Sequence, residues 1–343
     1  MDKTIILASA GSGKTTYLVK QIPKEKRTLI LTYTDNNIQN LQENIISEFG
    51  YFPKNIRLQT YFTFLYSFCI QPFLMDEYNL KGLIFKQNPI LKARGNKRYL
   101  TNNKSLYYNR AAKFIEEKGL NNDVNRRLEK YFQYLFIDEI QDFAGQDFNL
   151  LEKISNSNIN ILFVGDFYQH TYDTSRDGNV KYNIHNNYYS YKVLFKKLGF
   201  FVDEKTLIKS YRCCPKICEY ISNNLKINIE SRNEKNNEIK YINNRQEIDK
   251  IIQNKEIIKL FFREHYKYKC RSRNWGDCKG ENKYNDVCVI LNKTTMAYYN
   301  KNELHKLKPT TLNKLYVAIS RAHGNVYFIS ECDIGKYKKQ KSQ

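Results

Sequence analysis

Residues 8–16 read ASAGSGKTT. The apolar run before them, residues 4–8, reads as a buried strand, and residues 15–21 read as a helix, so the unit is strand, glycine-rich turn, helix. In such a turn the backbone N–H groups of Ala10, Gly11, Ser12, Gly13 and Thr16 cradle phosphate oxygens at a helix N-terminus. Lys14 reaches the β and γ oxygens, and the Thr15 hydroxyl is placed to hold Mg²⁺. Ala8 stands where the general phosphate-loop pattern has its first glycine. ATP is the expected nucleotide.

Outward from this unit, TLILT at residues 28–32 reads as a second strand, followed by a helix with apolar residues at Ile38, Leu41, Ile45 and Ile46. Further strands are expected at 134–137, 159–164, 287–291 and 325–330. Strands alternating with helical stretches argue for parallel α/β sheets. Residues 66–129 are helix-prone, rich in Lys, Arg and Asn, and without a strand signal, so a helical insertion is expected. Residues 228–269 read as a second irregular region, with 231–237 (SRNEKNN) as its exposed loop, and the tail 336–343 reads as frayed.

Two polar strand ends complete the nucleotide chemistry. Residues 135–143 read LFIDEIQDF, an apolar strand delivering Asp138 toward a metal and Glu139 toward the water that attacks the γ-phosphate. Residues 161–172 read ILFVGDFYQHTY, again a strand ending in polar groups, with Gln169 placed to sense the γ-phosphate. Ligands of parallel sheets bind beyond the carboxyl ends of the strands, which is where all three loops fall.

The composition agrees with a polyanionic partner. The 343 residues, 41% of them hydrophobic, suffice for two cores, and 56 Lys and Arg against 35 Asp and Glu give a net charge of +21. Aromatic residues make up 14%, with 28 Tyr and 20 Phe. Rings beside cations suit a groove that stacks bases and tracks phosphates, although a coding bias toward Lys and Tyr would produce the same excess. The phosphate loop follows Met1 so closely that no signal peptide is expected, and no apolar stretch is long enough to span a bilayer. The eight cysteines are therefore expected to be reduced, in the cytoplasm, with no membrane partner. Cys213, Cys214 and Cys218 lack the paired spacing of a zinc site and read as packing on a helix, with a metal the less favoured alternative.

ASAGSGKTT, IDEIQDF, GDFYQ, SYRC and YVAISRA, in this order, resemble the motif set of UvrD-like superfamily 1 DNA helicases (the UvrD, Rep and PcrA type). The resemblance implies an α/β fold of two RecA-like P-loop lobes with parallel sheets and a helical insertion in the first lobe. The lobes would comprise residues 1–65 with 130–200, and 201–343, with 66–129 as a reduced insertion and little room for a second one. ATP would lie between the lobes. LTYTDNNIQNL at 31–41 and QTYFTFL at 59–65 resemble the family's strand-contacting motifs, which implicates Thr32, Tyr33, Thr34, Thr60 and Phe62 in nucleic-acid contact; capping and core packing are their other reading. KLYVAISRA at 314–322 brings Arg321, and KSYRC at 209–213 brings Arg212, both toward the γ-phosphate as arginine fingers. The KG step at Lys279 and Gly280 resembles a further nucleotide-site motif, although the segment after it departs from the family and leaves Asp286 a structural residue.

The function implied is an ATP-dependent translocase or helicase on single-stranded or tailed DNA, moving 3′ to 5′, with RNA not excluded. The alternative is a DNA-stimulated ATPase switch that works with a protein partner in a larger assembly and does not unwind. A small-molecule kinase is disfavoured by KLYVAISRA and GDFYQ.

Overall fold

In the first β-strand, Ile5, Ile6 and Leu7 are all buried, as expected of a parallel strand covered on both faces. A computed structural model describes residues 2–90, 92–171, 180–181 and 183–339 of the chain. Tyr172, the last residue of ILFVGDFYQHTY, and residues 340–343 of the tail lie outside the described residues. The chain divides into two compact units: Met1–Leu7 with Lys14–Gly165 and Asp173–Asp203, and Ala8–Gly13 with Asp166–Tyr172 and Glu204–Gln343. The fold is α/β with parallel sheets.

The first unit is built on a six-stranded parallel sheet of β1 (Lys3–Leu7), β2 (Thr28–Thr32), β3 (Ile56–Thr60), β6 (Tyr134–Asp138), β7 (Asn160–Gly165) and β8 (Phe201–Asp203), in the order β3-β2-β6-β7-β1-β8. The helix Lys14–Lys20 follows β1. The helix Asp35–Phe49 follows β2, opened by the Thr34 hydroxyl accepting from the Asn37 N–H and closed at Gly50, whose φ is 78°. Its inward face is Leu41 and Ile45, while Ile46 is exposed.

The insertion contains the helices Gln71–Tyr78, Ala111–Glu117 and Asn121–Tyr131. It is not wholly helical: β4 (Gly82–Ile84) and β5 (Ser105–Tyr107) form a short parallel pair. Three-residue strands amid Lys and Asn leave no readable period of two, which is why the sequence conceals them.

In the second unit β9 (Lys209–Ser210) pairs with β10 (Glu230–Ser231), and a five-stranded parallel sheet runs β11-β15-β14-β12-β13. Its strands are β11 (Ile239–Tyr241), β12 (Ile258–Phe261), β13 (Ser272–Asn274), β14 (Val287–Leu291) and β15 (Val326–Ser330). Side-chain alternation divides the core between the faces. Val287, Val289 and Leu291 pack with Trp275, Leu315 and Val317, whereas Cys288 and Ile290 pack with Ile248, Ile252 and Ile329. The region 228–269 is therefore no irregular insertion; it supplies β11, the helix Arg245–Gln253 and the interior strand β12. Lys259 obscures β12 in the sequence. It is fully buried, with its ammonium donating to the Ile257 carbonyl at 2.9 Å and to that of Asn254. Cys213, Cys214 and Cys218 pack in the Trp275 core. Among the described residues no helix is long and apolar enough to cross a membrane.

Candidate nucleotide site and nucleic-acid interface

In the first unit the Thr15 hydroxyl donates to Asp138 Oδ2 at 3.2 Å, joining the start of the first helix to the end of β6. Asp138 is buried, and this desolvation, reinforced by the charge of Glu139, pushes its carboxyl up to about 7 against the opposing Lys14 charge and the Thr15 hydrogen bond. A buried carboxylate so placed favours a cation beside it. That fits Mg²⁺ held by Thr15 and Asp138. Glu139 has φ 58°, the left-handed region that a non-glycine residue adopts at a cost, and its carboxylate accepts from Gln141 Nε2. Gly165 lets this loop approach: a Cβ there would lie 2.3 Å from Gln141 Oε1. Thr16 is exposed on the same helix.

The second unit contains the first half of the phosphate loop. Gly11 has φ +71°, and a Cβ on it would lie 2.7 Å from Arg212 Cβ, so no other residue fits there. Its carbonyl accepts from the Tyr211 N–H at 2.8 Å. Ser12 is buried, with its hydroxyl on the Ser9 carbonyl at 2.8 Å.

A polar chain runs from this loop to Arg321. The Ala10 N–H donates to the Tyr316 hydroxyl at 2.9 Å, and that hydroxyl donates to Asp166 Oδ2 at 2.9 Å. Asp166 also accepts from Gln169 Nε2 at 2.9 Å, and Gln169 Oε1 accepts from Arg321 Nη2 at 3.4 Å. Residues 8–13 and 166–172 belong with the second unit. Tyr316 lies inside KLYVAISRA, where the sequence reading singled out only the arginine.

Arg321 is 2% exposed; among the described residues it donates to Gln169 and, at 3.2 Å, to the Glu281 carbonyl, and its Nε has no partner. Arg212 is half-buried and bonded to the Asn282 side chain and the Ser320 carbonyl, at 2.8 and 3.1 Å. Burial and the neighbouring Arg321 charge pull its guanidinium down to about 10. Two arginines on neutral acceptors leave positive charge that an anion would compensate. Lys279 and Gly280 form the turn after Trp275, with Gly280 at φ +81°, and Asp286 accepts from the Asn325 N–H at 2.8 Å, a structural role. Tyr211 was not foreseen. Its ring, 59% exposed, lies beside Gly13 and under Arg232, whose guanidinium is 5.0 Å from the ring centroid, so a flat face is open beside the loop.

Of the expected strand-contacting residues, Tyr33, Thr34, Thr60 and Phe62 line one groove of ≈640 Å³ in the first unit, together with Leu83 and Phe85 of the insertion. Thr32 does not belong with them. It is fully buried at the end of β2, because that strand is covered on both faces, so its hydroxyl is out of reach of a ligand. Thr34 and Thr60 are also caps, each accepting a backbone N–H three residues on, so the capping and surface readings hold together at these positions.

A second groove, of ≈1260 Å³, opens beyond the carboxyl ends of β12, β14 and β15 in the second unit, with Arg263, Lys267, Lys293, Lys308, Lys338 and Lys339 around it. Its two acids are already engaged: Glu264 with Lys267 at 2.8 Å, and Glu331 with the Tyr268 hydroxyl at 2.7 Å. The groove is therefore strongly positive. The sequence reading missed it because its residues are scattered from 261 to 339.

The site agrees with what the chain resembles. Residues 2–175 match the AAA domain family, and residues 121–330 match the family described as viral superfamily 1 RNA helicase core domain. No curated protein matches the sequence. The solved complex of Arterivirus nonstructural protein 10 (helicase) with DNA superposes with a TM-score of 0.51 at 13% identity, over 98% of this chain and 63% of that one. The crystal structure of Arterivirus nonstructural protein 10 (helicase) gives 0.50 at 12% identity, over 98% and 62%. This chain thus spans less than two thirds of the length of either. The likeness to them is one of fold, and it agrees with the family match that spans residues 121–330: the chain belongs to the superfamily 1 helicases.

Proposed function

We propose that the protein is an ATP-driven translocase on single-stranded nucleic acid, with DNA as its strand and 3′-to-5′ polarity as the UvrD-like motif order implies. The observation that carries this reading is the pair Arg212 and Arg321, which among the described residues rest on neutral acceptors, with Arg321 joined through Gln169, Asp166 and Tyr316 to the phosphate loop. Under this reading Lys14 and the loop N–H groups bind the β and γ oxygens, Glu139 orients and deprotonates the attacking water, and Arg212 and Arg321 stabilise the charge that develops during transfer. Mg²⁺ between Thr15 and Asp138 would supply further charge neutralisation. Loss of the γ-phosphate frees Arg321, and the change passes through Gln169 to Asp166 and the loop, so the nucleotide state is sensed along one hydrogen-bonded chain. The Tyr33–Phe62 groove and the basic groove of the second unit supply the strand contacts. RNA as the strand is a second reading, favoured by the match to a viral RNA helicase core. The switch reading differs from a motor in one respect, since it predicts stimulated hydrolysis without strand displacement.

The test is hydrolysis with and without a single strand, and displacement of a labelled strand from tailed DNA and RNA duplexes. Hydrolysis is expected to rise on adding the strand. Strand affinity is expected to fall steeply with salt, each neutralised phosphate contributing about −0.7 to the slope of log K against log salt. Salt-independent binding, or hydrolysis indifferent to any strand, would overturn the proposal. Glu139→Gln is expected to keep nucleotide affinity while turnover drops by roughly 10²-fold or more, because the metal ligand stays and the base is lost. Failure of this variant to bind nucleotide would show that Glu139 has another role.

A further inference from the structure

The β4–β5 segment of the insertion combines features that the nucleotide chemistry leaves unused. Residues 81–110 carry eight Lys or Arg and no Asp or Glu. Phe85, just beyond β4, is 64% exposed, a costly position for a phenyl ring. Its ring stacks on Tyr108, just beyond β5, with centroids 5.6 Å apart and planes 24° from parallel. Phe62 meets both edge-on, at 5.2 Å to Phe85 and 5.6 Å to Tyr108. Phe62 is braced in turn by Tyr33 at 5.3 Å, and the Tyr33 hydroxyl donates to the buried Asp147 at 3.1 Å. The result is a supported aromatic step with one open face on the groove of Tyr33, Thr34 and Thr60.

We propose that Phe85, backed by Tyr108, is a stacking platform for an unpaired nucleobase, through which the insertion holds the strand that enters the groove. This rests on the single-strand reading above and adds a site to it. The physical case is the combination of an open aromatic face, which any base can stack on, with a surrounding segment whose charge is of one sign and opposite to phosphate. An apolar protein partner would meet the same ring but would gain nothing from that charge. A duplex has no unpaired base to offer, so the platform discriminates for unpaired strands.

The experiment uses the full chain and single-stranded oligonucleotides carrying 2-aminopurine, in DNA and RNA forms. Binding to the wild type is expected to quench the probe as it stacks, and the form quenched more strongly identifies the preferred strand. Phe85→Ala should lose most of the quench and weaken strand binding about tenfold. Phe85→Trp should restore both. An exposed ring is dispensable for folding, so an unchanged melting temperature is expected of either variant. Wild-type quench and affinity in Phe85→Ala would overturn the platform while leaving the single-strand reading in place, whereas equal competition by blunt duplex would overturn both. If the wild type binds no strand at all, that reading fails and the platform fails with it.

Discussion

Lys14→Ala is expected to lower nucleotide turnover by roughly 10²–10³ or more, with the fold intact. The ammonium is half-buried at the start of the first helix, and among the described residues it makes no ion pair or hydrogen bond. Its electrostatic effect inside the protein falls on Asp138, which it draws toward the charged form against burial and the Glu139 charge. Removing it takes no volume from the core, so the melting temperature should move by only a few degrees. What is lost is the cation that meets the β and γ oxygens, and with it a charge interaction that strengthens as the phosphoryl group transfers. Lys14→Met separates the charge from the aliphatic stem and should be as inactive as Ala. Steady-state hydrolysis at saturating nucleotide, with strand present, measures both variants. Near-normal turnover in either would remove the phosphate loop from the mechanism.

How much of this was readable in the sequence depends on what each residue does locally. β2 and β14 were legible to the residue because parallel strands buried on both faces read as unbroken apolar runs. β12 carries the same burial but places Lys259 in its middle, and no pattern of apolar residues foretells an ammonium capped by backbone carbonyls. Asp138, Glu139, Gln169 and Arg321 stand out in the sequence because each sits at a strand or helix end with characteristic neighbours. Tyr316 was passed over because a tyrosine on an apolar helix face reads as packing; its polar role depends on Ala10 and Asp166, 306 and 150 residues away in the chain. Thr32 erred in the other direction. It stands within a recognisable stretch, but its accessibility is set by the sheets and helices packed over β2, which local sequence does not encode. The allocation of residues 8–13 to the second unit was illegible for the same reason, since it rests on contacts with residues far away in the chain.

Arg321 should give the sharpest result. Its replacement by Ala is expected to cut turnover by roughly 10³ or more, while nucleotide binding weakens far less. The guanidinium is buried on two neutral acceptors, the Gln169 side chain and the Glu281 carbonyl, with Nε unsatisfied. A buried cation held this way is poorly compensated until an anion arrives, and the charge spread over the transferring phosphoryl oxygens compensates it best. The loss therefore falls on the transition state, so kcat should drop with little change in KM. Truncating a buried side chain also risks destabilising the helix end that carries it, so Arg321→Lys is the decisive variant. It keeps the charge and most of the stem but replaces a planar fork with a point ammonium, which cannot address Gln169 and a phosphate oxygen in the same geometry. Strong impairment of Arg321→Lys at an unchanged melting temperature is the expected outcome, and the coupling should show as well, with strand-stimulated hydrolysis falling further than basal hydrolysis. Wild-type turnover by Arg321→Lys in the presence of strand would mean that the arginine serves the fold of the second unit alone and that the γ-phosphate is stabilised elsewhere.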